Sequence, residues 1–131
     1  MTISVAEPIF VAPVMPVSQA MESAARVGAI LMQSGASTES SVAAVRDMLS
    51  GLDQVGVNVT IGGDAVIVSA SEHGVPVTIM RTIPSLGANL ERASMAQVLA
   101  ERVRRGAIPD EAIALELDAV SATPAPYNRL A

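Results

Sequence analysis

The chain has 131 residues, enough for one domain with its own core, and with half of them hydrophobic and 16% charged it is not disordered throughout. Thirteen acids oppose eight arginines and no lysine, a net charge of −5 without a basic stripe, which argues against nucleic acid as a partner. The absence of cysteine removes disulfides, thiolate chemistry and Cys-based zinc sites, and Phe10 and Tyr127 as the sole rings exclude aromatic cages and base-stacking platforms.

Residues 1–17 carry no basic stretch, contain Glu7 and are broken by Pro8, Pro13 and Pro16. They read as a flexible Pro-containing arm instead of a signal peptide. The longest apolar run, Ile9 to Val17, falls short of the roughly 18 to 20 residues needed to span a bilayer and is interrupted by proline.

A first helix is expected from Ser18, as its cap, to Ser34, with Ala20, Ala24 and Gly28 forming a stripe of small residues that admits a close neighbour. Gly35 is the left-handed residue that ends it, and Ser37 or Thr38 caps a second helix, with Glu39 at its positive end. Val42, Val45, Leu49 and Leu52 make the seam of that helix, and the two form an antiparallel hairpin.

The period then changes from 3.6 to 2. Strands are expected over Val57–Ile61, Ala65–Ser69 and Val75–Ile83, joined by turns at Gly62-Gly63-Asp64 and Glu72-His73-Gly74. The middle strand is apolar on both phases, which predicts cover on both faces. Ser85 to Ala93 reads as a loop, and Ser94 caps a helix to about Arg105 with Met95, Val98, Leu99 and Val103 inward, closed by Gly106. Pro109 opens a last helix whose apolar face is Ile113, Leu117 and Val120, before Pro124 and Pro126 break the chain. The order αα-βββ-αα, a helical hairpin, a three-stranded antiparallel meander and two C-terminal helices, is an α+β domain over residues 18–123, with 124–131 as a linker.

Chemistry is sparse. Ser37, Thr38 and Ser40 beside the lone His73 invite a hydrolase reading, but Gly35-Ala36-Ser37-Thr38-Glu39 lacks the second glycine of a nucleophile elbow and follows a helix instead of a strand. Capping and turn roles explain these residues better, so no catalytic residue is assigned. One histidine and scattered carboxylates offer no metal site, and no cofactor is expected. Arg81 shares the strand phase of Val77, Ile79 and Ile83, the phase to be buried. Its guanidinium therefore calls for an ion pair, with Asp64, Glu72 and Glu91 as candidate acids. The alternatives are contact with a ligand or partner, or plain exposure through a shifted register. Thr78 lies on the opposite phase.

The corner Gly35-Ala36-Ser37-Thr38, the strand Thr78-Ile79-Met80-Arg81, the segment Asn89-Leu90-Glu91-Arg92, Gly106 before Pro109-Asp110-Glu111-Ala112, and the exit Pro124-Ala125-Pro126-Tyr127-Asn128-Arg129 occur in a telling order. From about residue 20 to 130 the chain resembles the N-terminal cytoplasmic domain of the threonine/serine exporter family. The resemblance implies a cytoplasmic accessory or regulatory domain at the inner face of the cell membrane, without transport activity of its own. Its partner would be a membrane-spanning exporter region on the same or a separate chain, absent from these 131 residues, and a homo-oligomer is the other association open to it. Arg129 agrees with a cytoplasmic flank. Gly35, Thr38, Thr78, Arg81, Asn89 and Arg92 become the candidate structural or partner contacts. A small hydrolase or ligand-binding enzyme using the Ser/Thr corner with His73, and a self-associating interaction module, are the alternative functions.

Overall fold

The computed structural model describes residues 16–54, 56–62, 64–84 and 89–123, so the expected arm (but for Pro16 and Val17) and the 124–131 linker lie outside the described residues. The order is α1 (Val17–Gln33), α2 (Thr38–Gly51), β1 (Asn58–Ile61), β2 (Ala65–Glu72), β3 (Val75–Thr82), α3 (Leu90–Arg104), a 3₁₀ turn (Asp110–Ala112) and α4 (Ile113–Ser121). The strands form an antiparallel meander in the order β1-β2-β3, as the change of period predicts.

α1 is the central element, packed against α2, α3, α4, β2 and β3. Ten of its seventeen residues are buried, among them Ala20, Ala24, Val27, Gly28 and Leu31, as befits a helix enclosed on most sides. The buried apolar residues are all Ala, Val, Ile, Leu or Met. With no aromatic ring among the described residues, the elements close the core by bringing backbones together.

Two glycines set how close they come. A Cβ on Gly28 would lie 2.8 Å from a Val45 methyl and 3.3 Å from Val66, at the point where α1 meets both α2 and the sheet. A Cβ on Gly51 would sit 2.1 Å from the Val103 carbonyl oxygen and 2.7 Å from Arg104 Cα, so the end of α2 crosses the end of α3 backbone to backbone. The small-residue stripe in α1 is legible in sequence; the contact at Gly51 is not.

Several boundaries differ from the sequence reading. α1 starts after Pro16 with no side-chain cap, and Ser18 lies inside the helix. Proline before the first turn fixes φ and withholds no N–H the helix needs. α3 begins at Leu90, four residues before Ser94, because Asn89 caps it: its Oδ1 accepts from the Arg92 N–H at 2.9 Å. Asn89, read as a loop breaker, starts the helix. The buried face of α3 is Ala96, Leu99, Ala100 and Val103, the small alanines meeting the neighbouring helices, with Met95 partly exposed and Val98 exposed. Among the described residues β2 is covered on one face only, with Val66 and Val68 buried against the helices and Ile67 half-buried on the outer side. Pro109 stands in extended backbone ahead of the 3₁₀ turn, and Ile113, Leu117 and Val120 are buried as the pattern predicts.

Gly51→Ala should destabilise the chain by about 1–3 kcal/mol, since neither backbone can yield without separating α2 from α3. Gly62→Ala, where a Cβ meets nothing within 4 Å and φ is not positive, is the control and should stay within about 0.5 kcal/mol. Urea unfolding of both variants tests this; equal midpoints would refute the close crossing.

Candidate functional site

The candidate residues occupy three places and not one cleft. At the α1–α2 corner, Gly35 has φ +97° and Ser37, in extended backbone, accepts from the Ser40 N–H at 3.0 Å. Thr38 is the first helical residue and exposed; Ser37, not Thr38, is the cap. The remaining hydroxyls of the corner have local work. Ser41 Oγ donates to the Ser37 carbonyl at 2.8 Å, and Ser40 Oγ accepts from Gln97 Nε2 at 3.4 Å.

His73 lies at the β2–β3 hairpin tip with φ +54°, followed by Gly74 at +78°, the paired left-handed residues of a type I′ turn. Its ring is exposed, and no hydrogen bond joins it to Ser37, Ser40 or Ser41 among the described residues. Nor does any group of three or more His, Asp or Glu among the described residues have the arrangement of a metal site.

The second place is a junction of three helix ends. Asn89 is buried, its N–H donates to the Ser34 carbonyl at the end of α1, and its Nδ2 donates to the Thr123 carbonyl at 3.3 Å. Arg92 Nη2 donates to the same Thr123 oxygen at 2.6 Å. Thr123 Oγ1 in turn donates to the Ala119 carbonyl at 3.1 Å. The Asn89 side-chain amide and the Arg92 guanidinium thus tie the start of α3 to the chain leaving α4, and the Asn89 backbone N–H ties it to the end of α1. Asn89 and Arg92 are brought together as neighbours of one carbonyl; sequence reasoning missed Thr123, which carries no pattern of its own.

The third place is the sheet. Pairing of Val66 with Arg81 and of Val68 with Ile79 puts Arg81 on the helix-facing side, as its phase predicts. Its Nη1 meets Glu22 of α1 in a short ion pair, with both side chains a little over two-fifths exposed. Of the acids read as candidates, Asp64 and Glu91 are not the partner, and the Glu72 side chain lies outside the described residues. The meeting of α1 with β3 supplies Glu22 from a segment far away in the chain. Exposure on that scale makes the pair worth no more than about 1 kcal/mol. Four residues on, Arg26 of α1 reaches Asp118 of α4 at 3.0 Å. Glu22, Arg26 and Gln33 form the one polar stripe of α1, lying between β3 and α4; the i, i+4 spacing of Glu22 and Arg26 was the available signal.

Thr78 points the other way. The outer face of β2 and β3 pairs Ile67 with Met80, Ser69 with Thr78 and Ala65 with Thr82, and β1 adds Asn58 and Thr60. That face carries no charged residue among the described residues, and Met80 is 66% exposed at its centre. The arginines at the far end of α3 are consumed locally: hydrogen bonds from Arg104 and then Arg105 hold the Glu101 carboxyl down at about 2, and Arg102 pairs with Glu116 at 3.4 Å. They form no basic surface free for a polyanion.

Ser37→Ala should cost about 1 kcal/mol through the lost cap, and Arg81→Lys should lower stability by no more than about 1 kcal/mol, because Glu22 is half exposed. Thermal unfolding of the two variants checks both values; a loss of several kcal/mol in Arg81→Lys would show the pair to be far stronger than its exposure allows.

Comparison with known proteins supplies the family. Residues 22–131 match the protein family described as "Putative threonine/serine exporter". The chain is 30% identical over 115 residues to a protein of Corynebacterium glutamicum named "Threonine/serine exporter", an alignment covering 86% of this chain and 24% of that relative. It therefore spans about a quarter of the relative's length. No solved structure matches, and no helix among the described residues is long and apolar enough to cross a membrane. With the family matched over residues 22–131, the chain belongs to the threonine/serine exporter family.

Proposed function

We propose that this chain is a cytoplasm-facing accessory domain of a threonine/serine-type exporter, spanning residues 18–123, which docks on the membrane-spanning part of the exporter and neither transports nor catalyses by itself. The observation that carries this reading is the family match over residues 22–131 in a chain whose described helices include none able to cross a membrane. The named relative is about four times the length of the matched portion, so a membrane-spanning region elsewhere in the exporter is the natural partner. A catalytic role has little to stand on: Ser37 is spent as a helix cap and His73 as a turn residue.

The outer sheet face is the surface proposed to meet that partner. Among the described residues it is uncharged, with Ile67 and Met80 at its centre and Thr78 beside them, and it faces away from the helices. A β-sheet face that lacks charge is costly to leave in water only where it is large and apolar; this one, mixed in character, suits a contact that forms and parts. The same face could pair two copies of this chain, which the experiment separates.

Met80→Arg and Thr78→Arg each place a charge on the face and should leave the melting behaviour of the 131-residue chain nearly unchanged. In the full-length exporter each should reduce threonine export severalfold. Unaltered export in both variants would remove the sheet face from the interface, and full export after deletion of residues 18–123 would overturn the accessory role itself. Sedimentation of the 131-residue chain as a dimer that Met80→Arg dissociates would assign the face to self-association instead.

A further inference from the structure

The apolar pattern of α3 is wider than the face its neighbours cover. Ala96, Leu99, Ala100 and Val103 are buried, yet Val98 is 54% exposed and Met95 partly so. Together with Leu99, and with Val120 of α4, these two line an open groove of about 190 Å³ between the helices, with the Arg102–Glu116 pair at one end. We infer that the groove is the seat of the chain's own N-terminal segment, held in extended form with Phe10 against Met95 and Val98.

The segment has the chemistry the groove asks for. Residues 1–15 carry a single charged side chain, Glu7, and the stretch from Pro8 to Met15 is apolar throughout. Seating that stretch strips water from no ion. The two charges of the groove already face each other at 3.4 Å and need no third partner. Pro8, Pro13 and Pro16 oppose a helix and favour extended backbone, so a segment already straightened loses little freedom on seating. Pro8 and Pro13 also bring no backbone N–H, a group that apolar walls could not satisfy. Phe10 supplies the ring, with the Met95 thioether as a suitable neighbour.

Length and position agree with the chemistry. Gly28 of α1 faces Val45 of α2, so the hairpin is antiparallel and the start of α1 lies toward the end of α2. The end of α2 in turn crosses the end of α3 at Val103. The segment ahead of Pro16 therefore leaves toward the end of the molecule where Arg102 and Glu116 stand. From Phe10 to Pro16 the extended chain covers about 20 Å, roughly twice the 8–10 Å between packed helix axes. That is enough to pass round the end of α3. Ser94 to Arg102 measures about 12 Å along α3, the length of about four extended residues. Between Pro8 and Pro13 stand Ile9, Phe10, Val11 and Ala12. The exit segment 124–131 starts beside Met95, whose sulfur meets Thr123 Oγ1 at 3.3 Å, but it carries Asn128 and Arg129 and fits the apolar walls less well.

The chain has no cysteine, so Ala6→Cys gives a single attachment point for a nitroxide on the 131-residue protein. In the ¹⁵N-labelled chain the amides of Met95, Val98, Leu99 and Glu116 should lose intensity severalfold, and those of Thr78 and Met80 on the outer sheet face little. Phe10→Asp and, separately, Val98→Asp at its exposed position should restore that intensity and leave the amide pattern of the sheet unchanged. If Val98→Asp fails to fold, Phe10→Asp decides alone. Absent or even broadening, broadening confined to the sheet face, or broadening that survives Phe10→Asp overturns the proposal. So does broadening that passes between spin-labelled and ¹⁵N-labelled molecules in a mixed sample, which would give the groove to a second copy. A Val98 amide that responds to Tyr127→Asp and not to Phe10→Asp would overturn it too, giving the groove to the exit segment.

Discussion

Contact of backbone with backbone is the constraint on which this fold depends. A core of Ala, Val, Ile, Leu and Met has no large side chain to span a wide gap, so its helices must lie close or leave voids. Gly28 lets α1 approach α2 and β2 together, and Gly51 lets α2 cross α3 at the Val103 carbonyl. Once these distances are set, α1 is enclosed by α2, α3, α4 and two strands, and the positions of the remaining elements follow. The cost is intolerance at a few positions. A single added methyl at Gly51 has no side chain to push aside, only main chain.

Enclosure of α1 also decides where charge can sit. A helix buried on most sides has one stripe left for polar residues, and here that stripe runs between β3 and α4. Glu22 and Arg26 each find an opposite charge on a different neighbour, Arg81 and Asp118, so the seam on that side of the molecule is stitched by ion pairs instead of apolar contact. Half-exposed pairs of this kind contribute little to stability. They fix orientation, holding α1 to β3 through Arg81 and to α4 through Asp118.

Much of this was legible in the residues. Alternation over Val57–Ile61 and Val75–Ile83 and the turn at His73-Gly74 define the meander, because side-chain period and left-handed turn residues are local properties. Gly35 and Ser37 announce their corner for the same reason. The phase of Arg81 is local too, and correctly predicts an ion pair; its partner is not, since Glu22 comes into range only once α1 has packed on β3. Asn89 shows the other limit. An asparagine amid loop-forming residues reads equally as a breaker or as a cap, and what settles it is the Thr123 carbonyl arriving from α4 together with the Ser34 carbonyl from α1. One face of β2 looked buried because Ile67 is apolar, whereas the helices cover only the side of Val66 and Val68.

The clamp on Thr123 has a mechanical side. Its carbonyl is held by Asn89 Nδ2 and Arg92 Nη2, from the cap and the first turn of α3, and the cap is also bonded to the end of α1. A pull on the chain beyond Thr123 is therefore not absorbed by fraying α4 alone. It loads the start of α3 and, through the Asn89 N–H, the last carbonyls of the central helix. The exit of α4, the start of α3 and the end of α1 thus share one set of hydrogen bonds.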